Sequence, residues 1–74
     1  MIVILKANID QTCSEYRAIR AYLEQLPNVD VREHQEHGTQ QILTEFYLIG
    51  DTATLDKAEI ASLAGVERVV LIFF

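Results

Sequence analysis

The chain has 74 residues, half of them hydrophobic and 23% charged, with a formal net charge of −5. This length makes one small domain over residues 1–74, and the apolar fraction is too high for a disordered segment. The negative charge disfavours non-specific binding to nucleic acid or to an anionic membrane, and no apolar run reaches the roughly 20 residues of a membrane span. Cys13 is the one cysteine. It excludes an internal disulfide framework and is typical of a cytoplasmic protein.

The first predicted elements are a strand from about Ile2 to Lys6 and a helix that follows it. Thr12 and Glu15 match a capping box, in which the two side chains bind each other's backbone amides at a helix start. Apolar residues then recur at helical spacing and predict one buried face, formed by Tyr16, Ile19, Leu23 and Leu26. Pro27 ends the helix, because proline cannot continue the hydrogen-bond ladder without cost.

Two strands are predicted next. The first, from Val29 to about Gln35, alternates with charged residues and is typical of a sheet edge. The turn after it is placed at Glu36–Thr39, where Gly38 is expected to supply a positive φ angle. The second strand, from about Gln41 to Ile49, is largely apolar on both faces and is therefore predicted to be central.

A short helix and a final strand complete the chain. The helix is predicted over about Leu55–Leu63, with Thr54 or Asp56 as its cap. Gly65 lies where a left-handed C-terminal cap is expected. The last strand is predicted from about Val66 to Phe74.

The element order predicts an α+β fold of βαββαβ type. Two split right-handed crossovers give a four-stranded antiparallel sheet, spatial order 4-1-3-2, with two helices on one face. The first and last strands are continuous apolar runs, a pattern typical of strands that are covered on both faces. Since the helices cover one face only, we expect the open face to meet a partner outside the chain. Its candidates, with the outward parity left open, are Val3, Leu5, Phe46, Tyr47, Leu71 and Phe73.

Groups that suggest chemistry each have a simpler interpretation. His34 and His37 lie among glutamates, but side chains three apart on a strand face opposite ways and a structural zinc site needs four ligands. Cys13 lies near a helix N-terminus without a second cysteine to resolve it. No nucleophile, base and orienting group come together. We therefore predict no cofactor, no metal site and no enzymatic activity.

Three segments resemble a known family. Met1–Lys6, Leu48–Thr52 and Gly65–Val70 look like the N-terminal ferredoxin-like domain of microbial DAHP synthases (3-deoxy-7-phosphoheptulonate synthases). The resemblance covers nearly the whole chain in order and length. It implies a regulatory, allosteric, ACT-like domain of the shikimate pathway for aromatic amino acid biosynthesis. In that family a metal-dependent TIM barrel, absent from these residues, condenses phosphoenolpyruvate with erythrose 4-phosphate.

The resemblance also implies partners. The small domains of the family pair near the barrel mouth and hold an aromatic amino acid, such as tyrosine, between them. Arg32-Glu33-His34 is the nearest match to the effector stretch, so Arg32 and His34 are the expected effector contacts. We accordingly expect a dimer or higher oligomer, a DAHP synthase barrel as partner, and tyrosine or phenylalanine as effector. A free-standing ACT-like small-molecule sensor and a plain homo-oligomeric interaction module remain the alternatives.

Overall fold

A computed structural model describes residues 1–72. The elements are β1 (Ile2–Leu5), α1 (Ser14–Glu24), β2 (Val29–His37), β3 (Ile42–Gly50), α2 (Lys57–Ala61) and β4 (Val66–Val70). The four strands form one antiparallel sheet in the order β2-β3-β1-β4. The predicted 4-1-3-2 order and the βαββαβ fold are therefore confirmed, with β3 central and β2 at an edge.

Alternate residues of the strands build one core beneath the two helices. The buried apolar side chains are Val3, Leu5, Tyr16, Ile19, Leu23, Phe46, Leu48, Ile60, Val66 and Val69. Val3, Leu5 and Phe46, at 0%, 1% and 1% exposure, were candidates for the open face and instead lie in this core. The helices supply apolar partners only to the residues of this parity, and the neighbouring residues on the strands face the other way.

One pair of neighbours on β3 shows why this parity is preferred. Thr44 is buried, and its hydroxyl needs a single partner, which the Gln35 side-chain amide supplies at 3.5 Å. Glu45 faces the opposite side of the sheet. Burying its carboxylate would cost far more free energy than burying a hydroxyl, so the register that leaves Glu45 at the surface is favoured.

A bulge between β1 and β4 adjusts the core at the edge of the sheet. The register shifts between Ile4, which pairs with Arg68, and Leu5, which pairs with Val66. Because of this shift Val66 and Val69, three positions apart, are both buried, whereas a regular strand would place them on opposite faces.

The start of α1 differs from the prediction by one residue. Thr12 is not the N-cap, because its backbone N–H and its hydroxyl both donate to Asp10 Oδ1, at 2.8 and 2.7 Å. These bonds, the backbone one first, lower the pKa of the Asp10 carboxyl. Cys13 takes the cap position, and its sulfur accepts the Tyr16 N–H at 3.4 Å. The Asp10 carboxylate is the stronger acceptor and holds Thr12 in a local turn.

The second helix is shorter than predicted. Asp56 is its N-cap and accepts two backbone N–H groups at 3.0 and 3.2 Å, so Leu55 precedes the helix. Gly65 has φ +94°, yet it lies at the entry to β4 rather than directly after the helix. A Cβ at Gly65 would approach the Cδ1 atoms of Ile19 and Ile9 to 3.1 Å.

The β2–β3 hairpin and the last strand also differ from expectation. β2 continues to His37, so the turn moves to residues 38–41, where the Gly38 N–H donates to the Gln41 carbonyl at 2.8 Å. The positive φ expected at Gly38 is wrong, since among the described glycines Gly50 and Gly65 hold that conformation. β4 ends at Val70. The predicted continuation to residue 74 lies partly outside the described residues.

A polar cluster ties α1 to the edge strand. Glu33 of β2 accepts the Tyr16 hydroxyl at 2.5 Å and the Arg20 guanidinium at 2.6 Å. Its second oxygen accepts the Gln11 side-chain amide at 2.8 Å. Burial, and then the bond to Glu33, raises the pKa of the Tyr16 phenol. These charge-assisted bonds fix the tilt of α1 over β2.

Candidate functional site

The sheet face away from the helices is the candidate site and is called the open face below. Antiparallel register places its side chains in rows that cross the strands. One row runs Arg32, Tyr47, Ile2 and Val70. The next runs His34, Glu45, Ile4 and Arg68. The open face is therefore charged over β2 and largely apolar over β3 and β1.

The apolar part of the open face stays partly exposed. Ile49 is 50% exposed, and Ile2, Ile4 and Tyr47 are half-buried. A hollow of about 190 Å³ lies among them, lined by Met1, Ile2, Arg32, Tyr47, Leu48, Ile49 and Ile72. Clusters of exposed apolar side chains with a polar rim are typical of binding surfaces.

Tyr47 connects the apolar and charged parts. Its hydroxyl donates to Glu45 Oε2 at 2.9 Å, and its ring centroid lies 6.2 Å from that of His34 at a 58° tilt. The bond to the Glu45 carboxylate, and then desolvation, raises the pKa of the Tyr47 phenol. The phenol therefore stays protonated at neutral pH and keeps its hydroxyl turned toward Glu45.

The charged part carries the two expected effector residues. The Arg32 Nε lies 3.1 Å from Asp30 Oδ2, and His34 Nε2 lies 2.8 Å from Glu36 Oε2. Both pairs are well exposed to solvent, so they hold their side chains only weakly. The structure brings Arg32 and His34 together on the open face beside Tyr47. Their role in effector binding stays a prediction.

The other predicted site residues are divided. Tyr47 lies on the open face, while Leu71, 43% exposed, follows the end of β4. Phe73 lies outside the described residues. Sequence reasoning did not assign Ile2 and Ile49 to the open face. The signal that could have found them is Glu45, because a carboxylate marks the exposed parity of a strand more strongly than a threonine marks the other.

The described residues provide little for chemistry. Within residues 1–72 no group of three or more His, Cys, Asp or Glu side chains is placed to hold a metal ion. His34 lies on the open face, and His37 is three positions further along the same strand with its side chain on the other side. In the same part of the chain no helix is long and apolar enough to cross a membrane.

The βαββαβ order, the single antiparallel sheet and its open face define a ferredoxin-like domain. Comparison with protein families narrows this class. The family described as DAHP synthase ferredoxin-like domain matches residues 1–73, and the chain belongs to that family. The resemblance found in the three sequence segments is thus confirmed. No curated relative matches the chain.

Proposed function

We propose that this chain is a non-catalytic regulatory and assembly domain for a DAHP synthase of aromatic amino acid biosynthesis. Its membership of the DAHP synthase ferredoxin-like family supports this role. The matched residues belong to the ferredoxin-like domain and not to an aldolase-type barrel. Regulation would then act through association with the catalytic barrel in the cytoplasm.

The open face is the proposed association surface, and the exposure of its apolar residues is the observation that carries the proposal. Ile49 leaves half of its surface in water, although it is central on a strand whose alternate residues are fully buried. Covering such side chains contributes about 25 cal/mol for each Å² of apolar surface removed from water. A second copy or a barrel placed on this face would gain that free energy.

The same face offers complementary groups for an aromatic amino acid. The Arg32 guanidinium suits a carboxylate, since its planar fork donates two parallel hydrogen bonds. The ring of Tyr47 and the apolar hollow of about 190 Å³ suit an aromatic side chain. An amino acid held there between two copies must strengthen their association, because a ligand that binds the dimer more tightly shifts the equilibrium toward it.

The effector proposal is tested by titrating the chain with tyrosine and with phenylalanine while recording amide NMR spectra. We expect one amino acid to shift amides of the Arg32–Tyr47 row. Arg32→Ala and His34→Ala are expected to weaken that binding about tenfold, the loss of one charge-assisted contact. Arg17→Ala, exposed on α1, is the matched control and is expected to change nothing. Unchanged spectra at millimolar ligand would contradict effector binding.

A second candidate is a plain interaction module that binds no ligand. One observation favours it: within residues 1–72 every buried side-chain nitrogen and oxygen already has a hydrogen-bond partner. No buried polar group in the hollow therefore awaits a ligand. This candidate predicts an oligomer whose stability is the same with and without either amino acid.

A further inference from the structure

The outer edge of β2 is long and regular. β2 pairs with β3 over nine residues without a register shift, and no proline or glycine interrupts it. Hydrogen bonds at the two ends define which backbone groups face β3. The Gly38 N–H donates to the Gln41 carbonyl, and the Asp51 N–H donates to the Asn28 carbonyl, both across the hairpin.

These two bonds fix the alternation along the whole strand. In an antiparallel ladder, backbone groups of every second residue bond to the neighbour and the others point away. Even-numbered residues of β2 therefore bond to β3. The odd-numbered residues 31, 33, 35 and 37 direct their N–H and C=O groups to the free edge. In the described part of the chain, no other group hydrogen-bonds to these four N–H groups.

The even-numbered side chains along this edge alternate in sign. Asp30, Arg32, His34 and Glu36 occupy successive positions on the open face. Charges on an edge strand usually prevent pairing, most effectively when they are of one sign. Here acid and base are mixed, so a second copy of the same strand finds opposite charges in one antiparallel register.

We propose that β2 pairs with β2 of a second copy of this chain, antiparallel, with His34 on the two-fold axis, to form a continuous eight-stranded sheet. In this register Arg32 lies opposite the second copy's Glu36, and symmetry repeats the pair. Glu33 lies opposite the second copy's Gln35. The Arg32–Glu36 pairs occupy non-hydrogen-bonded positions, where opposing side chains are closest and charge pairs are strongest.

Neighbouring registers are less favourable. A two-fold axis at Glu33 places Asp30 opposite the second copy's Glu36 and Glu33 opposite itself. An axis at Arg32 places two guanidinium groups opposite each other, and an axis at Gln35 leaves Arg32 opposite Gly38. Like charges directly opposite one another destabilise a strand pair. The register centred on His34 is thus selected by charge.

Edge pairing goes beyond the proposed regulatory role and uses different atoms from those of the open-face association. The outward N–H and C=O groups of β2 carry the first, whereas side chains such as Ile49 carry the second. Either can fail alone. We therefore test edge pairing in an Ile49→Asp background, which removes an apolar contact of the open face without touching the edge.

Charge reversal tests the register by sedimentation equilibrium. Arg32→Glu and Glu36→Arg are each expected to raise the dimer dissociation constant about tenfold, since two symmetric pairs become repulsive. The double variant exchanges the charges and is expected to return within about threefold of the starting value. Single variants without effect, or a double variant weaker than both singles, would overturn the proposal.

Cross-linking gives a second test that does not depend on charge. In a Cys13→Ser background, His34→Cys places two thiols at a non-hydrogen-bonded pair with Cα atoms about 4.5 Å apart, which suits a disulfide. Glu36→Cys on the same face is the control, since its copies would lie about 13 Å apart. Mild oxidation is expected to give a covalent dimer from His34→Cys. Equal yield from Glu36→Cys would overturn the register.

Discussion

The two faces of the sheet are built from the same strands and nearly the same residue types, but they have different surroundings. On the covered face, Val3, Phe46 and Leu48 are almost completely removed from water. On the open face, their neighbours Ile2 and Tyr47 are half-buried, and Ile49 is half-exposed. An apolar run in a small domain therefore serves two ends. One parity stabilises the fold, and the other is left for association.

The comparison breaks most visibly at Phe46 and Tyr47, adjacent residues on opposite faces. Phe46→Ala is expected to lower the free energy of unfolding by about 3–5 kcal/mol, because it removes a buried ring and leaves a cavity. Tyr47→Ala is expected to cost about 1 kcal/mol or less. Urea unfolding at a chain concentration where the protein is monomeric measures both. Equal losses would show that the faces do not differ as described.

Association should show the opposite pattern. Ile49→Asp is expected to weaken self-association at least about tenfold, while the unfolding free energy changes by about 0.5 kcal/mol at most. Ile42→Asp is the matched control, since Ile42 is 39% exposed but lies at the end of β3 with the parity of the covered face. Sedimentation equilibrium compares them. If both variants weakened association equally, the surface would not be specific to the open face.

The helices that create the difference between the faces give a smaller effect. Asp56→Ala removes the N-cap of α2 and is expected to lower the unfolding free energy by about 1 kcal/mol. Asp51→Ala, an exposed carboxylate outside the helix, provides the control and is expected to stay within about 0.5 kcal/mol. Urea unfolding distinguishes the two. Equal, small losses would mean that α2 contributes little cover.

The rim of the covered face predicts a pH dependence. Burial and Glu33 raise the pKa of Tyr16 above its ordinary value of 10.0, so the folded state favours the protonated phenol. This stabilisation is complete below pH 10 and is lost as the pH rises through the folded-state pKa. Tyr16→Phe is expected to make unfolding free energy fall less steeply above pH 10. Tyr22 and Tyr47, whose pKa values are also raised, account for the remaining slope. An unchanged slope in Tyr16→Phe would contradict this assignment.

Sequence reasoning predicted the order of elements and the sheet topology because these depend on strong local signals. The helical spacing of Tyr16, Ile19 and Leu23 and the break at Pro27 leave few other folds. The outward parity was not predictable from apolar content, since both faces of β3 are largely apolar. The helix start was missed because Asp10 competes for Thr12, a contact that spacing alone does not weigh.

Sedimentation equilibrium of the purified chain, with and without millimolar tyrosine or phenylalanine, tests the central claim most directly. The account predicts a concentration-dependent oligomer that one of the two amino acids tightens and that Ile49→Asp weakens. A monomer at every concentration, with and without either amino acid, would contradict the claim that the open face is an association surface for a second copy.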